Sequence, residues 1–96
     1  MKIKILPSAI RDIEHGRIFY DKQGAGIGQY FFDSLFSDVD SLVLYAGIHS
    51  KHFGYHRLLA KRFPYAVYYK CEGEIAVVWR ILDLRMNPDK IRRALT

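Results

Sequence analysis

The second half of this 96-residue chain holds the side chains that could do chemistry. Arg57, Lys61, Arg62, Arg80 and Arg85 stand in or beside segments of strand-like pattern, and His49, His52 and His56 come just ahead of or among them. Guanidinium and ammonium groups bind carboxylates and phosphates, and histidines pass protons near neutral pH. This set therefore points to an anionic partner, either nucleic acid or an acidic protein segment. Thiol and metal chemistry have little to work with. Cys71 is alone, so no internal disulfide can form, and no Cys/His set has the spacing of a zinc site. Neither a metal nor a cofactor is expected, and a lone free thiol suits a reducing cytoplasm.

The formal net charge is +5, and it is unevenly distributed. Residues 1–46 carry five bases and six acids, whereas residues 47–96 carry ten bases and four acids, namely Glu72, Glu74, Asp83 and Asp89. The longest apolar run, Ile75 to Trp79, is about five residues, far short of the roughly 20 that cross a bilayer as a helix. The opening MKIKIL is basic but is interrupted at Pro7 with no small-residue cleavage site, so no signal peptide is expected. With half its residues apolar, a chain of this size can bury roughly 60 to 70% of its unfolded surface and needs no staple. One domain over residues 1–96 is expected.

The elements that must position the cations follow from hydrophobic period. Lys2 to Leu6 alternates as a short strand that Pro7 stops, and Ser8 is placed to cap a helix from Ala9 to Lys22 with Ile10, Ile13, Arg17 and Tyr20 at three- and four-residue steps. Gly24, Gly26 and Gly28 interrupt it. A second helix reads from about Ile27 to Tyr45, with Phe32, Leu35, Val39 and Leu42 on one face and Asp38 off it. Tyr30, Phe31 and Phe36 are more aromatic surface than such a helix needs for packing, which makes them candidates for a partner. Ile48 to Gly54 reads as an exposed loop.

Strands follow at Tyr55–Lys61, Tyr65–Cys71 and Ile75–Asp83, with Pro64 and the Glu72-Gly73 turn between them. In the last strand Ile75, Val77, Trp79 and Ile81 oppose Ala76, Val78, Arg80 and Leu82. Trp79 and Cys71 are expected in the core. Asn87-Pro88 ends the sheet, and Asp89 to Leu95 is expected to form a helical turn or two with Ile91 and Leu95 facing inward. The order is that of an α+β domain: an N-terminal strand, then an antiparallel two-helix hairpin packed on a small antiparallel sheet. The sheet face away from the hairpin is then the place for a concave basic site.

The stretch Arg62-Phe63-Pro64-Tyr65-Ala66-Val67-Tyr68-Tyr69, followed by Glu72-Gly73-Glu74, Val77 through Arg85 and Asn87-Pro88, closely resembles the RelE/ParE superfamily of bacterial toxins. The similarity extends upstream through the short strand and the two helices to nearly the whole chain. It implies two helices on a curved antiparallel sheet and the role of toxin in a type II toxin-antitoxin module. RelE-like members cut mRNA in the ribosomal A site; ParE-like members poison DNA gyrase. Metal-free RNA cleavage needs a base for the 2′-hydroxyl, stabilisation of the phosphorane and an acid for the leaving oxygen.

By position Lys61 and Arg85 match basic residues of the RelE-like centre and are its catalytic candidates. The family's late tyrosine falls near Ile91, and no tyrosine follows Tyr69. That vacancy favours the ParE-like reading, with Arg57, Lys61, Arg62, Arg80 and Arg85 as target-binding residues. Alternatives are the RelE-like ribonuclease and a non-toxic relic or RNA-binding module. The implied partner is an acidic antitoxin, disordered when free, that wraps the hairpin and the sheet edge, with Tyr30, Phe31 and Phe36 as contacts.

Overall fold

The computed structural model describes residues 1–96. Strand β1 (Lys2–Ile5) leads into α1 (Pro7–Asp21), α2 (Ile27–Asp40) and the single turn α3 (Leu42–Tyr45). Then come β2 (Lys51–His52), β3 (Tyr55–Leu59), β4 (Tyr65–Glu72), β5 (Ile75–Asp83) and α4 (Pro88–Leu95). The five strands make one sheet in the order β1-β5-β4-β3-β2. The α+β architecture is the one expected. β2 to β5 pair antiparallel, while β1 lies parallel to β5, with Lys2 opposite Ile75 and Ile5 opposite Val78.

Helix α1 starts ahead of its expected cap. Pro7 occupies the first turn, where its missing N–H is no loss and its fixed φ suits a helix. Ser8 is thereby released, and its hydroxyl donates to the Trp79 carbonyl at 2.6 Å. The buried stripe is Ala9, Ile13 and Gly16, with Tyr20 half-buried; Ile10 lies off it and is exposed. Helix α2 stops at Asp40 rather than running on to Tyr45, because the Ser41 hydroxyl turns back to the Asp38 carbonyl at 2.6 Å and competes with the helical ladder.

The two helices approach closely through glycine. A Cβ at Gly28 would stand 2.5 Å from the Arg17 carbonyl oxygen, and one at Gly16 would stand 2.5 Å from the Phe31 ring. The main core joins Ala9, Ile13, Phe31, Leu35, Val39 and Leu42 of the helices to Tyr65, Val67, Tyr69, Ala76, Val78 and Ile81 of the sheet. Phe31 also stacks with Tyr20 (5.0 Å between ring centroids) and meets Phe63 and Tyr65 edge-on.

Three expectations about the sheet are corrected. First, β5 does not keep one alternation. Tyr68 pairs with Arg80 and Tyr69 with Val78, so Trp79 is the extra residue of a β-bulge. Ala76, Val78 and Ile81 consequently share the helix-facing side, and Trp79 is only half-buried, edge-on to Tyr55 at 6.0 Å. Second, Cys71 is exposed, beyond the last residue of β4 that β3 pairs with. Third, the outer face is not left open. Asn87 caps α4 by accepting from the Asp89 N–H at 2.8 Å, and Ile91 and Leu95, one turn apart, seat that helix on Ala66, Tyr68 and Leu82.

Candidate functional site

The five basic candidates divide among three places and differ in how free their charge is. Arg80 is committed. Its Nε and one terminal nitrogen donate to the two Asp12 oxygens at 2.7 and 2.9 Å, and another nitrogen donates to the Ala94 carbonyl at 3.3 Å. Hydrogen bonding to Asp12 raises the Arg80 pKa further above its already high value. Asp12 accepts the Ile81 N–H as well, at 3.0 Å, so this carboxylate also satisfies β5 where β1 no longer flanks it.

Arg85 follows β5 and is half-exposed. It donates through Nε and a terminal nitrogen to the Asp83 oxygens at 2.9 and 2.8 Å and to the Tyr20 hydroxyl at 3.1 Å. Its guanidinium lies 5.8 and 5.9 Å from the centres of the Phe19 and Tyr20 rings. The hydrogen bonds to Asp83 raise its pKa. Burial alone would push the Asp83 carboxyl up, but hydrogen bonds and charge from Arg85 hold it below the ordinary value. Behind this pair, burial and the Asp83 charge push the Tyr65 phenol up to about 12. Asp12, His15, Gly16, Phe19, Tyr65 and Met86 border a cleft of about 330 Å³ here, between α1 and the end of β5.

Lys61 and Arg62 sit exposed in the β3–β4 loop. That loop is held by the Lys61 N–H, which donates to the buried Asp38 carboxylate at 3.2 Å; Asp38 thus lies on the inner side of α2, against expectation. The Leu84 N–H donates to the Pro64 carbonyl at 2.8 Å, which brings Lys61, Arg62 and Arg85 to one end of the sheet. Neither Lys61 nor Arg62 forms an ion pair.

Arg57 is elsewhere, on β3 opposite Tyr68. With His52, Phe53, Tyr68, Pro88 and Ile91 it lines a groove of about 370 Å³ between the β2–β3 turn and α4. Arg57 is also without an ion pair. Burial raises the Tyr68 phenol pKa. The arrangement can hold a flat or apolar group against Phe53 and an anionic group against Arg57. No three His, Cys, Asp or Glu side chains come together as a metal-binding set.

Of the aromatic candidates for partner contact, Tyr30 is 53% exposed, Phe36 is half-buried and Phe31 is fully buried. Phe31 is removed from the surface because its ring fills the space that Gly16 leaves. Ile18, Phe19 and Ile27, which the sequence did not single out, share the exposed apolar surface of the hairpin with Tyr30.

Further residues also escaped the sequence. Lys70 lies 4.6 Å over the Tyr55 ring and 5.6 Å from the Trp79 ring. His49 and His56, expected in or beside a solvated loop, are half-buried around Tyr69. Phe53 has φ +56° in the two-residue turn it forms with Gly54 at φ +85°, a conformation that asparagine and glycine adopt far more readily. Ile48 to Gly54, expected as an exposed loop, instead holds β2 and this turn, for which Gly54 was the available signal; the burial of the histidines had no local signal.

Comparison with solved structures finds the same fold elsewhere. The chain superposes with TM-score 0.79 on a chain of the chromosomal ParDE toxin-antitoxin system from P. aeruginosa, at 20% sequence identity, over 88% of this chain and 96% of that one. The two chains share one fold. No family model matches the sequence, and no curated protein matches it.

Proposed function

We propose that this protein is the toxin of a type II toxin-antitoxin module, acting in the cytoplasm by binding DNA gyrase and held inactive by an acidic antitoxin. The observation that carries this reading is the fold held in common with a chain of the ParDE system across nearly the full length of both. Charge supports it. The unpaired cations Arg57, Lys61 and Arg62 project from the basic half of the chain, suited to an anionic target.

Binding is favoured over nuclease chemistry for two reasons. Of the two basic residues matched to the RelE-like centre, Arg85 is held by the Asp83 carboxylate, which leaves Lys61 as its one free cation. Helix α4, Pro-Asp-Lys-Ile-Arg-Arg-Ala-Leu, supplies no tyrosine or histidine. For the antitoxin, the exposed Ile18, Phe19, Ile27 and Tyr30 on the hairpin offer an apolar seat that an amphipathic acidic segment can cover as it folds.

One observation favours a second reading. His52, Arg57 and Tyr68 meet around a single groove, a set that could serve a RelE-like ribonuclease acting on ribosome-bound mRNA, with His52 moving the proton. Purified protein added to gyrase separates the two. Inhibited supercoiling or trapped cleaved DNA, weakened in R57A and in K61A/R62A, is expected; no effect at micromolar excess refutes the proposal. Codon-phased cuts in mRNA on translating ribosomes, lost in H52A, would establish the second reading instead. Growth that continues unchanged on induced expression counts against both.

A further inference from the structure

Residues 41–50 form a strap that leaves α2, passes β1 and reaches β2 at the opposite edge of the sheet. Leu42 and Ala46 root it in the core, and the N-terminal amino group of Met1 donates to the Val43 carbonyl at 3.2 Å. Its outer surface is apolar, with Leu44 and Ile48 79% and 73% exposed. Its far end is fastened by polar groups. The buried Tyr69 hydroxyl accepts the Gly47 N–H at 2.9 Å and is hydrogen-bonded to His49 Nδ1. His56 Nδ1 donates to the His49 carbonyl at 2.6 Å, and its ring stacks on Tyr69 with centroids 5.1 Å apart.

Proton bookkeeping makes the two histidines different. The phenol has one proton. Its oxygen already accepts from Gly47, and the only acceptor at hand for its proton is His49 Nδ1, which must therefore be bare. Were Nδ1 protonated, the phenol oxygen would have to accept from it and turn its own proton away, leaving that buried O–H without an acceptor. His56 carries its proton on Nδ1 in either charge state, because a carbonyl can only accept. The fastening thus tolerates a proton on His56 Nε2 and not one on His49 Nδ1.

The groups around it do not offset a cation. β3 presents His56, stacked on Tyr69, and β4 presents Tyr69 with the Cys71 sulfur beyond it near Gly47, and no carboxylate forms an ion pair with either histidine. Lys51, Gly54, His56, Lys70 and Cys71 line one notch of about 330 Å³, with no carboxylate among them. Burial and then the neighbouring His56 lower the His49 pKa, in the same direction.

We propose that the Tyr69–His49–His56 cluster is an acid-released clasp: a proton on His49 frees residues 46–50 from β4 and uncovers the end of the core beneath the strap. Amide hydrogen exchange on the full chain, between about pH 7.5 and 5.5 and corrected for intrinsic exchange, tests it. Below about pH 6.5 the protection of the Gly47 N–H should fall roughly ten-fold per pH unit, while the Val78 N–H in β5 does not share the fall. H49Q, which keeps an acceptor for the phenol but cannot titrate, should abolish this dependence, and H56Q should retain it. Flat Gly47 protection across the range, or a dependence that survives H49Q, overturns the proposal. If H49Q does not fold, imidazole nitrogen shifts of the unaltered protein decide. A neutral His49 with its proton on Nε2 that protonates only together with loss of Gly47 protection supports the clasp, and protonation that leaves Gly47 protected refutes it.

Discussion

Replacing Asp12 by alanine tests the idea that a single carboxylate holds α1, the bulged strand and α4 together. Asp12 is 11% exposed at its side chain and its partner Arg80 29%, so solvent screens the pair only in part. D12A removes two charge-assisted hydrogen bonds and leaves the Ile81 N–H without a partner on the edge of β5 that β1 does not reach. Breaking a buried pair costs about 3–5 kcal/mol and orphaning a backbone donor about 1–3 kcal/mol. Discounted for the exposure of Arg80 and for water reaching the edge, the loss is about 2–4 kcal/mol.

For a chain of this length that is a fall in Tm of roughly 10–20 °C. D12N, which keeps an acceptor for Ile81 but not the charge, should lose about 1–2 kcal/mol. Urea denaturation of D12A, R80M and the double variant measures the coupling, expected at about 1–3 kcal/mol. A D12A protein within about 0.5 kcal/mol of the unaltered chain, or strictly additive single changes, would show that the pair is only a surface contact and that α1 is held by its apolar stripe alone.

Other consequences are open to measurement. G28A places a methyl 2.5 Å from the Arg17 carbonyl oxygen and 2.8 Å from Asp21 Cβ; because backbone cannot yield, the helices must part, and denaturant titration should register a loss of about 1–3 kcal/mol or more. F53N puts a residue tolerant of positive φ into the β2–β3 turn and should raise stability by about 1 kcal/mol; a matching loss of target inhibition would mean that the strained Phe53 ring serves the groove. Asp83 titrates below its unfolded value, so its contribution is present above the ordinary carboxylate pKa and is lost as pH falls through the folded one. D83N should therefore flatten the acid limb of the stability profile, and an unchanged limb would remove the Asp83–Arg85 pair as its cause.

How much could be read in advance depended on whether the signal was local. Period-2 alternation in Tyr65–Cys71, the glycines between α1 and α2, the Asn87-Pro88 break that ends the sheet and the inward pair Ile91 and Leu95 are all short-range patterns, and each located its element to within a residue or so. The regional excess of positive charge was equally plain. What failed were inferences about faces that a partner element decides. Ile10 was assigned to the stripe because Ala9 carries too small a side chain to announce a close contact; Phe31 was assigned to the surface because its neighbour, Gly16, lies 15 positions away.

The amino-acid sequence thus determined that this is an α+β chain with a helical hairpin, a strand hairpin and a cation-rich second half, since period, turn residues and charge are properties of neighbouring residues. Asp83 pairs with Arg85 from two positions away, but tertiary structure decided the fate of Arg80 and Arg57. Asp12 reaches Arg80 across 68 positions and the bulge at Trp79 shifts the register beneath them, so one candidate is neutralised, while Arg57 keeps its charge beside a groove closed by α4. It likewise buried His49 and His56 against Tyr69. The physical reason is common to these cases: burial and ion pairing arise between residues distant in sequence, and no local pattern encodes the partner.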